Sequence, residues 1–172
     1  NPDDPRPYDD VGWTFGPLFN VRSVRVEDTA VLSAAMTPVQ DPIRAPGGVV
    51  NLDRSPRAYI VNYNADNNLT AFRFRHPELR IDAARAGFTA GGREFRAGSF
   101  IIAAGTGAEN LAATLDVAGK EFGFTAYGVA SPPSVATHAV ATPRIAIVHT
   151  WLTTQTEGWL RLGFDEYGIP YD

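Results

Sequence analysis

The chain has no cysteine, a single methionine (Met36) and a single lysine (Lys120). Without cysteine there can be no disulfide, no thiolate nucleophile and no cysteine-ligated metal, although the lack identifies no compartment. Long apolar runs are also missing, and none approaches the roughly 18 residues of a membrane helix. No signal-peptide pattern occurs in these residues, which open on NPDDPRPYDD without a methionine. Excess positive charge is absent too. Lysine and arginine total 15 against 19 acidic residues, a formal net charge of −4, with a sequence pI of about 5.3. That balance argues against a general grip on nucleic acid. The arginines are scattered, so their excess over lysine marks no basic patch.

Catalytic signatures are equally scarce. There is no Gly-x-Ser-x-Gly elbow and no Gly-x4-Gly-Lys-Ser/Thr loop, which sets aside an α/β-hydrolase nucleophile and a P-loop enzyme. The three histidines, His76, His138 and His149, lack partners at zinc-ligand spacing. His76 and Glu78 are two apart and cannot share a helix face. The adjacent acids Asp3-Asp4, Asp9-Asp10 and Asp165-Glu166 point away from one another and read as solvated surface.

What is present is an ordinary globular composition, 44% hydrophobic and 20% charged over 172 residues. That is enough for one core with a small satellite. Residues 1–48 read as an extended or irregular lead-in with one strand over 21–28, packed by Trp13, Phe15, Leu18 and Phe19. A hairpin is expected to pair GGVVNLD with RAYIVNY. From residue 49 the pattern is that of an α/β domain. AYIVNY is a continuous apolar run, as in a strand buried on both faces. NADNNLTAFRFRHP opens on the cap-favouring Asp66 and Asn67 and reads as a short helix. LRIDAARAGF alternates as a strand, and TAGG turns the chain into REFRAGSFIIAAG. GAENLAATLDVAG reads as a helix, with Leu111, Leu115 and Val117 inward and Gly119 as its C-cap. FGFTAYGVA is a further strand. SPPSVATHAVATP has the composition of a linker, RIAIVHT reads as a buried strand, and a last helix begins near Thr156. Alternating strands and helices predict a mainly parallel sheet. Residues 59–63, 100–104 and 145–149 are expected as neighbours within it, with Trp159, Leu162 and Ile169 docking the last helix on one face.

Two places invite a ligand. Gly105-Thr106-Gly107 sits between an apolar run and a helix start, half of a dinucleotide fingerprint, where backbone N–H groups can hold an anion. Asn110 stands where a third glycine belongs and no acidic residue is placed for a ribose, so a plain strand-to-helix turn is favoured. His149 ends a predicted strand, where α/β proteins place ligands; a lone histidine there is more often structural. The aromatics at 72, 74, 95, 100, 122 and 124 fall at core spacings.

Four blocks of the chain carry a resemblance. NPDDPRPYDDVGWTFGPLFNV resembles the segment that opens the non-catalytic region of large bacterial zinc carboxypeptidase-like proteins. AYIVNYNADNNLTAFRF, FTAGGREFRAGSFIIAA and PRIAIVHTW…EGWLRLGFDEYGIPYD are similar to later blocks of that region, in the same order. The resemblance implies an accessory domain beside or linking a peptidase domain, which would be its partner in cis. It implies a secreted or periplasmic location and a continuation into a class I glutamine amidotransferase-like domain. The sheet would then be flavodoxin-like or amidotransferase-like, and the chain a truncated part of a larger protein. Zinc is implied for that protein's peptidase domain alone. The peptidase's His-x-x-Glu pair, third histidine and glutamate base cannot be placed in these residues, so no catalytic constellation or cofactor is assigned to the chain. An unpaired sheet edge would permit a homodimer; no membrane or nucleic-acid partner is expected. The alternative is a small-ligand module using the carboxyl ends of its strands near Thr106 and His149.

Overall fold

In a computed structural model of the chain, residues 15–19, 21–41, 43, 45–64, 66–105, 110–152 and 154–172 are described. The chain divides into two compact units, Asn1–Pro42 and Ile43–Asp172.

The first unit holds a four-residue helix, α1 (Phe15–Leu18), and a 3-10 helix over Thr29–Ser33. Asp28 caps the latter, its carboxylate accepting the Ala30 N–H at 2.9 Å. The strand expected over 21–28 does not form. Its alternation is present, but a strand needs a partner for its backbone groups, and Val21, Val24 and Val26 are exposed. Leu18 and Phe19, expected to pack, are exposed as well. Trp13 lies outside the described residues.

The second unit contains a six-stranded sheet built from β1 (Gly48–Asn51), β2 (Ala58–Val61), β3 (Asp82–Ala84), β6 (Phe100–Ala103), β7 (Thr125–Val129) and β8 (Thr137–Ala139). Their order is β1-β7-β2-β6-β3-β8. β4 (Phe88–Ala90) and β5 (Arg93–Phe95) form a separate hairpin. Its turn is Gly91-Gly92, with φ of 55° and 75°, left-handed values that glycine adopts without strain. The helices are α2 (Asn67–Arg75), α3 (Leu111–Phe122) and α4 (Thr154–Tyr167).

The sheet is mainly antiparallel, which corrects the expectation of a mainly parallel one. β2 pairs antiparallel with both β6 and β7, and β3 pairs antiparallel with β6 and β8; only β1 and β7 are parallel. Residues 59–63 and 100–104 do hold neighbouring strands, but Val61 faces Phe100 and Ala58 faces Ala103, in opposite directions. The four central strands, in chain order β2, β3, β6 and β7, sit in the spatial order fourth-first-third-second. This is the split βαβ arrangement. α2 connects β2 to β3, which run the same way with β6 between them; α3 connects β6 to β7 with β2 between them. Each crossover is thus of the parallel kind, yet no two strands joined by a helix touch. The expected β1–β2 hairpin fails for a related reason, since β7 lies between those strands. Residues 137–139, read as linker, form the exposed edge strand β8.

All four residues of β2 are buried because each face of the sheet has its own cover. Tyr59, Val61, Ala83, Phe100, Ile102 and Ala126 meet Leu69 and Phe72 of α2 and Leu111, Leu115 and Ala118 of α3. Ala58, Ile60 and Val129 on the other face meet Phe95 of the hairpin. α2 begins where expected, with the Asp66 carboxylate accepting the Asn68 N–H at 2.8 Å. Arg73 within it is buried and donates to the carbonyls of Val140 (2.8 Å), His76 (2.8 Å) and Leu79 (3.1 Å). One arginine therefore ties α2, its exit loop and the segment after β8 together. Burial lowers its pKa from the usual guanidinium value.

α3 begins at the cap residue Asn110 and runs one turn past the expected end. Its left-handed cap is Gly123, φ 73°, rather than Gly119. Gly119 is interior because α3 lies directly on the β1 end of the sheet. A Cβ there would stand 2.5 Å from the Gly48 nitrogen. Val117, expected inward, is exposed, and Ala118 takes the buried position. Asp116 fastens the same contact. It accepts the Val49 N–H at 3.1 Å and pairs with Lys120 at 2.5 Å.

Residues 143–172 do not join the sheet. Residues 145–149, expected as a buried strand, carry no assigned strand and leave Val148 93% exposed. The Ile147 N–H donates to the Asp172 carbonyl and the Asp172 N–H to the Ile145 carbonyl, both at 2.9 Å. That alternation is a parallel bridge. α4 connects its two sides and has no buried residue. Trp159 and Leu162 are exposed where docking on the sheet was expected, whereas Ile169 is buried.

Candidate functional site

The residues singled out in the sequence are not brought together. Gly105 stands in the turn after β6 with φ 85°, and a Cβ there would meet nothing within 4 Å among the described residues. Thr106 and Gly107 lie outside the described residues. His149 precedes α4, its Nε2 3.9 Å from a Glu157 carboxylate oxygen. Glu157 also pairs with Arg161 one turn on, which raises the Arg161 pKa through that hydrogen bond. His76 does find Glu78: the Nδ1 to Oε1 distance is 3.0 Å. The helix-face argument against this pair does not apply, because α2 ends at Arg75 and His76 is its C-cap. The ring also leans on Phe72, with centroids 5.1 Å apart. His138 lies on the exposed edge strand. Among the described residues, no three histidine, aspartate or glutamate side chains are grouped to hold a metal.

A polar concavity with defined chemistry lies elsewhere, between the β4–β5 hairpin and the sheet. It is a cavity of about 260 Å³ lined by Asn62, Asn64, Arg93, Thr125 and Tyr127, among others. Alternation along the strands places these side chains. Ala58, Ile60 and Asn62 share one face of β2 and its extension, and Thr125, Tyr127 and Val129 share that face of β7. Arg93 and Phe95 point from β5 onto the same face, and Glu94 points away. The cavity is walled by aromatic contacts. Phe95 stacks on Phe88 at 5.3 Å and meets the Tyr127 ring edge-on at 5.8 Å. The Arg93 guanidinium stands 4.4 Å from the Tyr127 ring centroid, a cation–π placement.

Asn62 is fixed by a buried serine. Ser99 is fully buried; its Oγ accepts the Tyr63 N–H and donates to Asn62 Oδ1, each at 3.1 Å. Asn62 Oδ1 also accepts the Arg96 N–H at 3.1 Å. These two donors hold the amide oxygen inward, so the Nδ2 group faces outward. Sequence reasoning missed this site. Its only sequence signal is that polar Asn62 continues the inward period of Ala58 and Ile60.

Two other concavities have less defined chemistry. One, of about 430 Å³, lies among α2, α3 and the end of α4, including Tyr167. The Arg75–Glu121 pair, 3.4 Å apart and partly exposed, forms part of its wall. The other, of about 360 Å³, is bounded by Phe74, Pro77, Ile145 and Pro170.

Fold and site together define an α/β domain built on a split βαβ core, with a hairpin over one face and α4 against α2. Compared with known proteins, the chain matches no protein-family profile, no curated protein and no solved structure.

Proposed function

We propose that this chain is an accessory, non-catalytic domain of a zinc carboxypeptidase-like protein, packing beside or linking its peptidase domain in cis. The observation that carries the docking role is the surface of residues 148–162. Trp151 and Leu152 are 91% and 90% exposed, and Val148, Trp159, Leu160 and Leu162, close to them in sequence, are exposed as well. Isolated exposed apolar residues need no explanation, but a concentration that includes two tryptophans marks an interaction surface. The identity of the larger protein rests on the resemblance of the four sequence blocks.

The parallel bridge between Ile145–Ile147 and Asp172 supports a finer reading. On that reading the segments either side of α4 belong to a parallel, amidotransferase-like layer, whose packing covers the apolar surface. A secreted or periplasmic location, and zinc in the peptidase domain only, belong to the same proposal. In the isolated chain the same uncovered apolar surface offers a homodimer contact.

The test uses the 172-residue chain and a triple variant, Trp151→Ser, Leu152→Ser and Trp159→Ser. The wild-type chain is expected to bind a hydrophobic dye and to self-associate in light scattering. The variant should lose both behaviours while keeping its circular dichroism and melting temperature, because none of the three side chains is buried. In the full-length protein, the same substitutions should increase protease cleavage around residues 143–172. A wild-type chain that is monomeric and dye-silent, together with substitutions that are inert in the full-length protein, refutes the docking role.

A further inference from the structure

The cavity between the hairpin and the sheet is lined in part by the donors Arg93 and Asn62. Arg93 makes its cation–π contact with Tyr127, and among the described residues no carboxylate pairs with it. An arginine stacked on an aromatic ring keeps its N–H groups for a partner beside the ring. The Asn62 amide is committed through its oxygen to the Arg96 N–H and the Ser99 hydroxyl. What it presents is Nδ2, which reaches Asn64 Oδ1 at only 3.4 Å. Among the described residues its other N–H donor has no partner and remains for a ligand. Thr125 adds a hydroxyl to the lining. Glu94, the acidic residue among the described lining residues, borders the cavity from the face of β5 opposite Arg93.

A planar cation and a fixed amide donor converging on one small space select an acceptor that is anionic and planar. At about 260 Å³ the cavity is below the usual range for drug-sized ligands, roughly 300–1,000 Å³, which limits the ligand to a few heavy atoms around the charged group. We propose that this cavity binds a small carboxylate, paired with the Arg93 guanidinium and held by the Asn62 side-chain amide. Binding replaces solvent on Arg93 with a charge-assisted, bidentate contact. The site is separate from the docking surface at residues 148–162, so either reading can fail without the other.

The experiment is a titration of the intact chain by nuclear magnetic resonance, observing the Arg93 Nε–H and the Asn62 side-chain amide. The probes are N-acetylglycinate, its neutral analogue N-acetylglycinamide, and inorganic phosphate. N-acetylglycinate should shift both signals saturably in the millimolar range. The amide should leave them unmoved, and phosphate should bind roughly tenfold more weakly or worse. Arg93→Ala should weaken binding by roughly tenfold or more. Asn62→Asp keeps an oxygen for the Arg96 and Ser99 donors and replaces the ligand-facing donor with negative charge; it should abolish binding while the backbone spectrum stays that of the folded chain. The proposal is overturned if N-acetylglycinate gives no saturable shift, if phosphate or the neutral amide binds as well, or if both variants still bind.

Discussion

Replacing Gly119 with alanine should destabilise the protein, although alanine is the better helix former. Helix propensity alone favours the change by about 1 kcal/mol. The new methyl group, however, would lie 2.5 Å from the Gly48 nitrogen, 2.6 Å from the Phe124 carbonyl oxygen and 2.8 Å from the Gly48 Cα. All three are backbone atoms, and ordinary carbon contacts are about 3.5–4.0 Å. Helix and strand must therefore separate by about 1 Å, and overpacking of this kind costs about 1–3 kcal/mol. The separation also strains the hydrogen bond from the Gly48 N–H to the Phe124 carbonyl, now 3.0 Å, worth about 1 kcal/mol. The net expectation is a loss of about 1–3 kcal/mol, read as a lower urea midpoint with unchanged slope. Gly163→Ala supplies the control. A Cβ at that position of α4 meets nothing within 4 Å, so propensity alone acts and α4 gains about 0.5–1 kcal/mol. Hydrogen exchange of the α4 amides reads that gain even if α4 opens separately from the sheet. A Gly119→Ala protein as stable as wild type refutes the close contact of α3 with β1.

Arg73→Met keeps the buried stem and removes the donors to three carbonyls, so a loss of about 3 kcal/mol is expected in chemical denaturation; a loss under about 1 kcal/mol would show those carbonyls to be served by water instead. The Asp116 pKa is held below its usual value, first by the Lys120 hydrogen bond and then by the Val49 N–H. A depressed carboxylate pKa contributes stability that is present above the unfolded-state pKa and lost as pH falls through the folded one. Asp116→Asn should thus be less stable than wild type at pH 7, with the gap closing below about pH 4. Melting curves across that range check it, and a gap that widens in acid contradicts the sign.

The local elements of the second unit were legible in the sequence, and their assembly was not. Asp66 as a helix start, the apolar runs of β2 and β6, and the Gly91-Gly92 turn all follow from residue chemistry within a few positions. The sheet's direction does not. A helix between two strands states that those strands run alike, and it is silent on a third strand inserted between them. Gly119 shows the same limit in miniature. Its residue type suits a helix end, and only the proximity of Gly48, distant in sequence, places it inside one. Residues 145–149 carry a strand pattern without burial, because pattern records what a face is suited to meet and not what it meets. The cavity residues Asn62 and Arg93 belong to different strand pairs, and no spacing rule joins them.

The interleaved order also dictates a sequence of assembly. β1 has one partner, β7, with Gly48 opposite Thr125, and β7 enters between β1 and β2. As the chain leaves the ribosome, the edge of β2 and the whole of β1 must wait until α3 and β7 have been made. Such distant pairings slow folding and leave strand edges open meanwhile. Asp116, which accepts the Val49 N–H and is paired with Lys120 one turn on along α3, arrives just ahead of β7. The helix thus carries the latch that catches β1 as the last central strand closes the sheet.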